Sequence, residues 1–135
     1  MSESSDRPYQ GTEVSTRVRM QSEFSLAWPA EKPVWMARLA RSESAADVME
    51  VVREFVRTHE TLWVSLPIDC QPPPFTVADD ISQYALSLYR KDLGRNAAAA
   101  ANVRALASFF SEAAHRMASA MAANTPAFRF FDRQS

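Results

Sequence analysis

The side chains of this sequence that could do chemistry are few and scattered. Glu112 and His115 stand three residues apart, the Glu-x-x-His spacing that sets two metal ligands on one helix face. Di-iron bundles use that pair twice and add carboxylates from other helices. The only other histidine here, His59, is followed by Glu60 in the wrong order and spacing, so Glu112 and His115 read as a surface contact and no metal is expected. Cys70, the only cysteine, lies between Asp69 and Gln71 in a proline-rich stretch. A nucleophilic thiol needs a base, which only folding could bring to it, and no catalytic signature surrounds it. Cys70 therefore reads as a small, partly buried side chain.

Two further sets suggest binding. Arg90, Lys91, Arg95 and Arg104, with Asp92 among them, surround a short link between two helical patterns. Basic residues beside the free N–H groups of Ala97 to Ala99 could hold a phosphate or another anion, and a turn-linked helix pair faintly resembles a nucleic-acid reader. Against base reading, the second helix opens on alanines, with Asn102 the first side chain able to contact a base edge. The same cations also suit the C-terminal end of the preceding helix. Trp28, Trp35, Trp63 and Phe75, flanked by prolines, could line an apolar groove, but aromatic surface of this kind mostly packs a core.

Composition narrows the classes. The chain has 135 residues, 47% hydrophobic and 23% charged, which suits one soluble globular domain with a real core. Its 15 basic and 16 acidic residues give a net charge of −1, so there is no global attraction to nucleic acid or anionic lipid. One cysteine excludes an internal disulfide and a cysteine-built zinc site, and a reducing compartment fits best. Gly11 and Gly94 are the only glycines, too few for a glycine-rich phosphate loop. No stretch approaches the roughly 18 apolar residues of a membrane span, and the polar start lacks a secretory core. The alanine- and arginine-rich composition suits a bacterial, cytoplasmic chain.

The elements follow from periodicity. Residues 1–11 read as a flexible lead and 12–135 as a single globular domain. Val14, Thr16, Val18, Met20, Phe24, Leu26 and Trp28 fall on even positions with polar residues between most of them, which predicts a half-buried strand over 14–28. Pro29 and Pro33 then predict a turn or extended connector between Trp28 and Trp35. Ser44 and Asp47 form a capping-box spacing, and Val48, Val51, Val52, Phe55 and Val56 form a stripe, predicting a helix over 44–60. Thr61 to Ile68 fits both a continued helix and a strand; its β-branched and aromatic content favours the strand. Pro72, Pro73 and Pro74 make a stiff spacer.

Thr76 and Asp79 repeat the capping spacing before a helix over 77–93. Gly94 suits the left-handed position past a helix end, and Asn96 suits the cap of a helix over 97–123. A link of three residues makes these last two helices an antiparallel hairpin. The seam of the final helix reads Val103, Leu106, Phe110, Ala113, Met117 and Ala120, with a second apolar set at Ala107, Phe109, Ala114, Ala118 and Ala122. A face this wide needs a cover, either a strand layer or another subunit. The segment Phe128–Phe131 could add a strand.

The expected fold is α+β: three main helices with a small antiparallel β element, the alternative being all-α with extended arms. The expected function is non-enzymatic protein interaction (an adaptor, chaperone or regulatory subunit) without a cofactor. Self-association is expected through Phe109, Phe110, Ala113, Met117 and Met121, with Phe109 facing outward. The alternative is an anion- or nucleic-acid-binding regulator using the basic turn.

Overall fold

The computed structural model describes residues 2–94 and 96–123, with side chains from residue 16 onward. Five α-helices follow one another: α1 Ser2–Ala40, α2 Ala45–Thr58, α3 Glu60–Ser65, α4 Asp79–Tyr89 and α5 Ala97–Ala123, with a 3₁₀ turn at Ile68–Cys70. No strand occurs among the described residues. The fold is all-α, and the expected β element is not there. Residues 14–28, expected as a strand, are helical, and Thr61–Ile68, open to helix or strand with the strand favoured, is helical up to Ser65 and enters the 3₁₀ turn at Ile68; Phe128–Phe131 lies outside the described residues. No helix is long and apolar enough to cross a membrane among the described residues.

The strand expectation over 14–28 fails because the even-position pattern is a coincidence of two helix faces. Of its members, Phe24 and Trp28 are buried, whereas Val18 and Leu26 are exposed. The buried set is Gln21, Phe24, Trp28, Trp35 and Leu39, whose spacings of three, four, seven and four mark one side of a helix.

The prolines do not break α1 either. Pro29 and Pro33 each delete one helical N–H donor, to the carbonyls of Ser25 and Pro29, at roughly 3 kcal/mol per proline. All three residues face water, which can serve those carbonyls. Against that cost, the helix brings Trp28 and Trp35 into the core. Each tryptophan removes on the order of 200 Å² from water, worth up to roughly 5 kcal/mol. Burial outweighs local propensity.

The later helices start and stop where local chemistry dictates. The Ser44 hydroxyl accepts from Asp47 N–H at 3.1 Å, and the Asp47 carboxylate accepts from Glu43 N–H at 3.1 Å. Ahead of α4 the reciprocal carboxylate is Asp80 rather than Asp79: it accepts from Thr76 N–H at 2.8 Å and Val77 N–H at 3.1 Å. Those bonds hold the Asp80 carboxyl below its ordinary range. Gly94 has φ +58°, and Asn96 Oδ1 accepts from Ala99 N–H at 3.0 Å to open α5.

In the assembled bundle α5 packs against α4, α1 and α2, while α1 also packs on α3 and α2. The expected strand layer over α5 is replaced by helices α1 and α2. The core is strongly aromatic: Phe55 and Phe109 stack, and Phe75 stacks on Phe110 with centroids 5.5 Å apart. Phe75 adopts φ +52°, a left-handed backbone that is costly for an aromatic residue. It directly follows the triple proline, its ring is buried, and its carbonyl accepts from the Arg53 guanidinium at 3.1 Å.

Candidate functional site

The structure distributes the sequence-selected residues among three environments. The first is the core. Phe109, Phe110 and Ala113 are fully buried and Met117 nearly so. They are covered by the chain's own helices, and Phe109 does not face outward. Met121 alone of the five is exposed. Trp28, Trp35, Trp63 and Phe75 are likewise buried, packed against Phe55, Tyr84 and Phe110 rather than around an open groove.

The second environment is the turn between α4 and α5. Arg90, Lys91 and Arg104 sit there; Arg95 lies outside the described residues. Lys91 Nζ is 3.3 Å from Asp69 Oδ2, so one of the cations is already paired. Asp92 faces the same hollow, bonded to Gly94 N–H at 2.9 Å, and Asn96 occupies the Ala99 N–H that an anion would use. The hollow carries mixed charge.

The third environment holds the remaining ionisable groups. Cys70 is fully buried; burial, with the Asp69 carboxylate beside it, pushes its thiol up, which opposes formation of a thiolate. Its carbonyl accepts from the buried Tyr84 hydroxyl. Burial also pushes the Tyr84 phenol far above its ordinary value. Glu112 pairs with Arg116 at 3.0 Å rather than with His115, which is exposed. No group of three metal-ligating side chains occurs among the described residues.

Sequence reasoning missed two polar sites. His59 is buried between α2 and α3, with Phe24, Trp35 and Phe55 around its ring. Its Nδ1–H donates to Phe55 O at 2.8 Å, and Nε2 lies 3.0 Å from Glu31 Oε1 on α1. This second contact ties α1 to the α2–α3 junction. Around Gln21 and Asn102, Gln21 Nε2 donates to Ser65 O at 3.0 Å and Asn102 Nδ2 donates to Gln21 O at 3.0 Å. The Ser25 hydroxyl donates to Asn102 Oδ1 at 2.6 Å. These bonds lock α1 to α3 and α5. The signal for Gln21 was present: it precedes Phe24 and Trp28 at helical spacing. No buried side-chain polar atom lacks a partner among the described residues, so neither site offers a waiting ligand position.

Exposed large apolar side chains are scattered over α3, α4, α5 and their connections, at Val64, Ile68, Val77, Leu86, Tyr89 and Met121, whereas the outer side of α1 gathers an uncharged run. Opposite the buried set stand Leu26, Pro29, Ala30, Pro33, Val34, Ala37 and Ala40, all exposed and none charged. Leu26 is 83% exposed and Val34 59%. The three charges within this stretch do not interrupt the face: Glu31 turns toward His59, Arg38 pairs with Glu54 at 2.6 Å, and by helical period Lys32 falls beside the core-facing side. Compared with known proteins, the chain matches no family model, no curated protein and no solved structure.

Proposed function

We propose that this protein is a non-enzymatic interaction module that presents the outer side of α1 to a protein partner. The observation that carries this is a helix apolar on two opposite sides. A helix of that pattern belongs in an interior, and here one of its sides faces water. The α5 face expected from sequence is spent on the chain's own core, so the docking surface moves to α1. The buried state of Cys70 and the paired state of Lys91 favour this reading over thiol chemistry or anion binding.

The test is site-specific photo-crosslinking in cells that express the full chain. A photoreactive side chain at position 26 or 37 should give a discrete adduct, and one at position 57, an exposed position on α2, should not. Equal or absent yields at the three positions would overturn the reading.

A further inference from the structure

We infer that the occupant of the outer α1 face is a second copy of the chain, laid antiparallel so that Glu23 of each copy meets Arg41 of the other. This rests on the docking reading above and adds the identity of the partner. In an antiparallel pair related by a two-fold axis, one patch must complement itself. Residues equally far from the axis in opposite directions lie opposite each other, and they must share a flank of the helix. With the axis beside residue 32, Ala30 of one copy faces Val34 of the other, and Glu23 faces Arg41.

The flank condition is met. Glu23, Ala30, Val34 and Arg41 are separated by seven, four and seven residues, each close to a whole number of turns. All four are exposed. Arg41 is the residue after the last of α1, and its N–H still bonds Ala37 O at 3.0 Å, so it continues the helical register. Glu23 and Arg41 on this flank are thus opposite in sign, with Arg19 one turn before Glu23, and their opposition is the arrangement a two-fold antiparallel pair requires and a parallel pair would oppose. The central positions other than Val34 are alanine or proline, which lets two helix axes approach.

Neither charge is held firmly within the monomer. Glu23 contacts Arg19 at 3.8 Å, with both side chains 69% exposed, a pair of the weakest kind. Arg41 borders a shallow depression shared with Asp47 and Glu50 and makes no side-chain bond there. From Leu26 to Ala40 the face is about 21 Å long, a footprint on the order of 200 Å². That is well below the roughly 800 Å² per partner of a standard interface, so the association is weak and concentration-dependent.

Sedimentation equilibrium of the purified full chain over a wide concentration range tests this. The expected result is reversible dimerisation that Leu26→Glu abolishes while helicity and melting stay unchanged. At low salt, Glu23→Arg and Arg41→Glu should each weaken it roughly 2- to 10-fold, and the double charge swap should restore it. A monomer at every concentration, or a dimer indifferent to Leu26→Glu, overturns the inference. So does failure of the double swap to restore association. The crosslinked adduct separates the two ideas. A mass of two chains supports the second copy, an adduct of any other mass overturns it while leaving the docking face standing, and no adduct overturns both.

Discussion

The rings of Phe55 on α2 and Phe109 on α5 lie face to face, with centroids 3.8 Å apart and planes 11° from parallel. Both side chains are fully buried, and Trp35 meets each of them edge-on. This stack joins the three longest helices at one point. It turns Phe109 from an expected surface contact into a keystone of the interior.

Phe109→Ala should therefore cost roughly 3–5 kcal/mol, measured as a shift of the denaturant midpoint. Phe109→Glu, which buries a carboxylate without a partner, should leave no cooperative transition at all. A folded Phe109→Glu protein of changed oligomeric state would contradict the packing described above.

Alkaline stability follows from Cys70 and Tyr84. Both are acids whose neutral forms are favoured by burial, so the native state holds their protons longer than the unfolded chain does. The unfolded chain releases them first, near the ordinary values of 9.0 and 10.0, and stability falls as pH rises past those values. Denaturant midpoints measured between neutral pH and pH 11 should decline steadily above about pH 9. Tyr84→Phe should flatten that decline, while costing on the order of 1 kcal/mol at neutral pH through the hydrogen bond lost at the Cys70 carbonyl. An alkylating reagent should leave the Cys70 thiol unmodified until the protein unfolds.

Pro33→Ala should stabilise the protein. The ring at position 33 removes one backbone bond on the wet side of α1 and packs against nothing in the core. Alanine restores the N–H at a gain of up to roughly 3 kcal/mol, offset by about 1 kcal/mol of added chain entropy in the unfolded state. A net rise of 1–2 kcal/mol in a urea melt is the expected outcome. A fall would mean that the proline shapes the backbone of α1 in a way that simple helix restoration does not repair.

Local chemistry made the second half of the bundle readable. Ser44 with Asp47, Gly94 at positive φ and Asn96 as a cap each act within a few residues, so spacing alone locates them. The first helix was obscured because two rules collided. Pro29 and Pro33 argue against a helix locally, while Gln21, Phe24, Trp28, Trp35 and Leu39 argue for one only once a distant partner is known. The same holds for Glu60–Ser65: Val64 points to water at 65% exposure, while Leu62 is buried and Trp63 packs against Tyr84 and Phe110, far along the chain. The outer face of α1 was hidden for the same reason, since a helix must be recognised before its two sides can be compared.

The hydrogen bonds from Asn102 to Gln21 and between Ser25 and Asn102 span 81 and 77 residues. During synthesis the tryptophans of α1 thus leave the ribosome long before the helix that shields them. At about 5–20 residues per second that interval is on the order of 4–16 s. Throughout it a half-made chain displays its stickiest surface, and α5 is the element that closes it. A truncation ending just before α5 should therefore be a substrate for holding chaperones, whereas the finished chain should not.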